Sequence, residues 1–230
     1  MERLQTPAQR DWAAWHDAYD DPASSLSRRL ATVRARVAAA LDAAPPGPVR
    51  AVSLCAGQGR DLIGAVAAHP RRADVRALLV EIDPANVLAA QRAAAAAGLA
   101  GFRAIAADAA RTAVYTGAIP ADLVLACGVF GNIGDGDVRR TISILPQLCA
   151  PGARVVWTRN RQPPDLTPQI LGWFADHGFA AEWISPAEGP GYGVGVHRYT
   201  RPESARFDAS VRMFTFVGYD VLRNGAPWPE

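Results

Sequence analysis

The chain contains no lysine: all 24 of its basic residues are arginine. Schiff-base chemistry on a lysine amine is therefore excluded, and with it lysine-anchored pyridoxal phosphate. Cysteine is scarce: Cys55, Cys127 and Cys149 lie far apart and form no Cys-x-x-Cys pair. An odd count at such spacing argues against a disulfide framework and against a cysteine-only zinc site. Histidine and glutamate do not cluster at ligand spacing, so no metal is expected. The formal charge of +2 is too small an electrostatic footprint for nucleic acid. There is no 18-residue apolar run and no charged-then-apolar leader, so no membrane partner is expected, and a cytoplasmic location is.

What is present suits one sizeable α/β domain: 230 residues, half of them apolar. The most informative stretch is Val49-Arg50-Ala51-Val52-Ser53-Leu54-Cys55-Ala56-Gly57-Gln58-Gly59-Arg60-Asp61. It reads as a buried strand entering a glycine turn that opens a helix. Glycines spaced by one residue allow a tight turn and leave room for a ligand against the main chain. This is the cofactor corner of an open α/β sheet. The dinucleotide fingerprint needs a third glycine three residues after the second, where Leu62 stands. A nicotinamide cofactor therefore fits poorly.

Four more apolar runs follow. Ala77–Val80 ends in Glu81-Ile82-Asp83-Pro84, and residues 102–107 end in Asp108-Ala109. Residues 121–126 end in Cys127-Gly128-Val129-Phe130-Gly131-Asn132, and residues 153–158 follow Pro151-Gly152. Between them the spacing predicts helices over 60–69, 84–97, 138–149 (capped by Asp135 or Asp137) and from Thr167-Pro168 to His177. Residues 180–184 and 193–199 read as two further strands, and 211–217 as an extra strand packed on the edge or the cap. Upstream, Trp12, Trp15, His16 and Tyr19 share one face of a helix over 8–20, and Ser24 or Ser25 caps a second helix to about Ala44.

Glycine turn and acid-tipped strands together resemble the class I S-adenosylmethionine-dependent methyltransferases over roughly residues 45–200. The resemblance implies an α/β fold: an open, doubly wound, seven-stranded sheet of order 3-2-1-4-5-7-6, with the last strand antiparallel. Residues 1–44 would form an N-terminal helical cap, 45–200 the cofactor domain and 201–230 an extension packed on the core. It also implies methyl transfer from S-adenosylmethionine to a small-molecule acceptor, leaving S-adenosylhomocysteine. Such an in-line displacement is driven mainly by positioning.

The resemblance assigns roles residue by residue. Glu81 would accept both ribose hydroxyls, Asp108 the adenine amino group with the Ala109 amide beside it, and Ala56, Gly57 and Gly59 would bring the backbone to the methionine end. Cys127 follows the strand whose carbonyls meet the cofactor's amino group. Asp83 would begin the next helix through its side chain. Ser53 and Cys55 depart from the family: an acid and a glycine usually stand there, which leaves Asp61 as a substitute anion. His16 is the candidate base and Tyr19 a partner for the sulfonium, although an aromatic face at helical spacing also suits plain packing. Asn132 would orient the acceptor, and Phe130, Arg159 and Asn160 would bind it. His197 reads as structural. Rival readings stay open: a non-methylating enzyme with the same cofactor, a non-catalytic partner subunit, and a nicotinamide enzyme.

Overall fold

The computed structural model describes residue 21, residues 24–187 and 191–218, and residue 222. His16 and Tyr19, with the helix expected over 8–20, lie outside the described residues. The elements are α1 (Ser25–Asp42), β1 (Val49–Leu54), α2 (Leu62–Ala67), β2 (Val75–Glu81), α3 (Pro84–Ala96), β3 (Phe102–Ala106), β4 (Ala121–Ala126), α4 (Asp135–Ile144), β5 (Cys149–Asn160), α5 (Thr167–Asp176), β6 (Phe179–Ile184) and β7 (Tyr192–Tyr199). Single 3-10 turns at Thr112–Tyr115 and Leu145–Gln147 complete the set.

The seven strands form one sheet of order β3-β2-β1-β4-β5-β7-β6. The first five are mutually parallel, and β7 runs antiparallel to both β5 and β6. Strands covered on both faces must be apolar on both, which is why β1, β2 and β4 read as continuous apolar runs. One face is covered by α1, α2 and α3 through residues such as Val37, Leu62 and Val87. The other is covered by α4, α5, the Tyr115 turn and the C-terminal segment, through Ile142, Phe174 and Met213. Strand order reverses between β1 and β4, so a crevice opens at their carboxyl ends. No helix among the described residues is long and apolar enough to cross a membrane.

Local chemistry sets the element ends. Ser24 caps α1, its hydroxyl accepting from the Ser27 amide at 3.0 Å. Asp83 caps α3 in the same way, with Pro84 in the first turn. Three readings are corrected. The helix expected over 138–149 starts earlier, at Asp135 behind Gly134, because Asp135 and Asp137 sit inside its first turn rather than at its cap. Strand β5 begins at Cys149, before Pro151-Gly152, through an irregularity opposite Ala121–Leu123 that absorbs the turn residues. The segment 211–217 makes no strand: it contributes one isolated bridge, Arg111 to Arg212, while Met213 and Phe214 bury their side chains in the core.

Candidate active site

The loop after β1 turns through three left-handed residues: Cys55 (φ 47°), Gly57 (φ 54°) and Gly59 (φ 68°). Gly59 is also closely packed. A Cβ there would lie 2.6 Å from Leu79 Cδ2 and 2.7 Å from Ile63 Cδ1. The Ala56 amide donates to the Val80 carbonyl at 2.9 Å, which ties the loop to the end of β2.

Glu81 organises that end. It is 9% exposed, and its Oε2 accepts from the Gly57 amide at 2.7 Å. Its Oε1 accepts from the Ile82 and Asp83 amides, each at 2.9 Å. A carboxylate offers about four acceptor positions, so one is left over. Beyond β3, Asp108 accepts from the Ala110 amide at 3.0 Å through Oδ1 and from Arg212 Nη1 at 2.9 Å through Oδ2. No hydrogen bond from the Ala109 amide occurs among the described residues. The Ala109 carbonyl accepts from the buried Tyr115 hydroxyl at 2.8 Å, which pins the turn from below.

Cys55 stands between the two acids. Burial pushes its thiol up, and the carboxylates of Glu81 and then Asp108 push it further, so it stays protonated. Desolvation likewise holds the Tyr115 hydroxyl well above its ordinary range. Neither group is poised as a nucleophile.

Asp61 caps α2 by accepting from the Leu62 amide at 2.7 Å. Burial raises its carboxyl, against the lowering pull of backbone hydrogen bonds and of Arg29 and Arg34. Across the β1–β4 gap it raises the Cys127 thiol, whose largest perturbation is again burial. A buried carboxyl group therefore stands near Cys127 at the end of β4, while Ser53 is buried within β1.

The loop after β4 is held from within. Gly128 (φ 78°) donates its amide to Thr158 Oγ1 at 2.8 Å, and nothing lies within 4 Å of a Cβ added there. Asn132 Nδ2 donates to the Gly128 carbonyl at 2.6 Å. Arg159 donates to the Phe130 carbonyl and, at 3.1 Å, to Asp135 Oδ1. Two of the residues expected at the substrate have these surroundings. Phe130 is fully buried against Trp157 and Phe174, because the core beneath the loop needs an aromatic filler. Arg159 gives one donor to the loop and one to the first turn of α4. Asn160 sits half-buried with its amide against Gly131.

Gly57, Gly59, Glu81, Asp108, Ala109, Cys127 and Asp61 all stand at or just beyond the carboxyl ends of β1–β4. Arg212, Tyr115 and Thr158 were missed from the sequence, since only tertiary folding brings them there. A separate groove of about 450 Å³ runs along α3 and the edge strand β3, past Gln91 and Arg103, and contains none of these groups.

Known structures share this architecture. An O-methyltransferase family protein from Burkholderia thailandensis superposes with a TM-score of 0.62 at 19% identity, over 84% of this chain and 62% of that one. The fold is that of the class I methyltransferases. Magnesium protoporphyrin IX methyltransferase from Synechocystis PCC 6803, solved with bound SAM, gives 0.60 at 17% identity, over 84% of this chain and 92% of that one. The [4+2]-cyclase SpnF gives 0.58 at 14% identity, over 78% and 85%. The chain thus spans under two thirds of the Burkholderia protein's length but most of the other two. No family model and no curated protein matches the sequence. At these identities the likeness concerns the fold.

Proposed function

We propose that this chain binds S-adenosylmethionine in the crevice at the ends of β1–β4 and transfers its methyl group to a small-molecule acceptor. The observation that carries the reading is Glu81, a nearly buried carboxylate fixed by three amides with one acceptor position left over. That position suits a ribose hydroxyl; engaging the second hydroxyl as well would displace one of the amide bonds. Asp108 and the unpaired Ala109 amide suit the amino edge of adenine. Ala56, Gly57 and Gly59 let the backbone approach the amino-acid end, where Asp61 and the Cys127 carbonyl would meet an ammonium.

The sulfonium supplies an already activated methyl carbon. The protein's part is to orient the acceptor and to exclude water. Asn132 would act by holding the Gly128 carbonyl, and hence the floor of the acceptor side. His16 remains the proposed base and Tyr19 the proposed sulfonium contact. The domain division at residues 44 and 200 is kept as part of this proposal, with the cap and the extension flanking the cofactor domain.

A second reading, use of the cofactor without methyl loss, draws support from the missing first-motif acid at Ser53 and from the likeness to a cyclase. Formation of S-adenosylhomocysteine separates the two.

The test is thermal unfolding with and without S-adenosylhomocysteine. At 100 times its dissociation constant a ligand adds about 2.7 kcal/mol, several degrees for a domain of this size. A rise is expected in the wild type and not in Glu81→Ala, and NADH is expected to give none. No rise with S-adenosylmethionine or S-adenosylhomocysteine would overturn the proposal.

A further inference from the structure

The C-terminal segment reaches the candidate base site from 104 residues away in sequence, through Arg212 Nη1 on Asp108 Oδ2 at 2.9 Å. That segment is anchored without this ion pair. The Met213 amide donates to the Ala110 carbonyl at 2.8 Å, and the Thr112 amide to the Val211 carbonyl at 3.0 Å. The Thr112 hydroxyl bonds the carbonyls of Asp208 and Val211. Met213 and Phe214 are buried, the Thr215 amide donates to Asp137 at 2.7 Å, and the amides of Val217 and Gly218 close on the Asn132 carbonyl.

The pair itself is half open to solvent, with side-chain exposures of 45% for Arg212 and 32% for Asp108. Pairs so exposed contribute little to stability. The pair instead fixes a direction. Asp108 is gripped at Oδ1 by the Ala110 amide and at Oδ2 by a guanidinium on an anchored backbone, so the plane of the carboxylate is held from both oxygens. A fixed acceptor binds a ligand that brings an N–H and rejects one that brings a carbonyl, because two acceptors are then left facing each other. Freed of Arg212, the carboxylate keeps the Ala110 amide at Oδ1, and Oδ2 is free to swing toward Arg111, whose Nε lies 3.7 Å away.

We propose that Arg212 is a positioning residue for base recognition, through which the C-terminal segment makes the site select a 6-amino over a 6-oxo purine. The inference rests on the role proposed above for Asp108.

Calorimetry with S-adenosylhomocysteine and S-inosylhomocysteine tests it. The wild type should prefer the adenosyl ligand on the order of 100-fold, as expected when a preorganised acceptor loses its donor. The preference should fall to on the order of 10-fold or less in Arg212→Ala, with Arg212→Lys between. Arg154→Ala, which breaks an ion pair with Glu182 on the far strands, should keep the wild-type ratio. A folded Arg212→Ala with an unchanged ratio overturns the proposal, and if that variant does not fold, an unchanged ratio in Arg212→Lys does so. If the wild type binds neither ligand, the reading of the whole site falls with it. Tight adenosyl binding without discrimination removes only the role of Arg212.

Discussion

At the carboxyl ends of β1, β2 and β3, polar side chains rest on backbone amides. Glu81 and Asp108 each hold the turn that carries them and still have acceptor capacity left. At the ends of β4 and β5 the polar groups close on one another: Arg159 on the Phe130 carbonyl and Asp135, Thr158 on the Gly128 amide, Asn132 on the Gly128 carbonyl. Deeper on that side, His197 Nδ1 accepts from Trp157 Nε1 at 3.0 Å and the ring stacks on Phe174. The first half of the sheet thus keeps acceptor capacity at its strand ends, and the second half uses the same residue types to hold itself. Polarity at a strand end does not mark a site; spare hydrogen-bonding capacity does.

The largest expected effect lies in the second half. Trp157 can only donate, so His197 Nδ1 is the acceptor and its proton sits on Nε2, which is buried without a partner. Burial lowers the ring from 6.5 to about 4. The unfolded chain therefore takes up a proton at a higher pH than the native state does. Stability from this group is complete above pH 6.5, falls as the pH drops, and levels off below 4. The loss is about 3 kcal/mol. Urea unfolding of the wild type and His197→Phe between pH 7 and 4 measures it as the difference in slope. Equal slopes would remove the structural reading of this ring.

The next effect contrasts two glycines. Both Gly59 and Gly128 adopt positive φ, but only at Gly59 would a Cβ strike core side chains. Gly59→Ala should cost about 2–3 kcal/mol, from left-handed strain plus overpacking against Leu79 and Ile63, and should weaken S-adenosylhomocysteine binding. Gly128→Ala should cost about 1 kcal/mol, from strain alone. Equal costs in chemical denaturation would mean that the first loop relaxes freely and that its geometry is not fixed by packing.

The sequence disclosed the first half far better than the second, and the reason is locality. A glycine turn, and an acid at the tip of an apolar run, are read within a dozen residues, so the β1 loop, Glu81, Asp108 and the strand order were legible. The surroundings of Phe130 and Arg159 are not legible in the sequence, because a loop aromatic and a strand-end arginine look the same whether they face a ligand or the core beneath. Only the packing of α5 against β5 decides between those states. Arg212 was invisible for a related reason: its partner is fixed by the path of the whole C-terminal segment. The 211–217 run has strand-like composition, but it lies against residues 110–112, beyond the end of β3, and against the first turn of α4, neither of which is a strand.

The smallest expected effect tests whether β5 is as closed as it looks. Asp135 lies in the first turn of α4, where a carboxylate is favoured by the helix dipole, and it pairs with Arg159 at 3.1 Å while being 58% exposed. Asp135→Asn should cost below about 1 kcal/mol, and less as salt is raised. The Phe130 carbonyl would still hold the guanidinium, so Arg159 should not turn outward and ligand affinity should not change. A severalfold gain in affinity for carboxylate-bearing acceptors in this variant would contradict that. It would mean that Asp135 restrains a substrate-binding arginine and that the second half of the sheet holds chemistry in reserve.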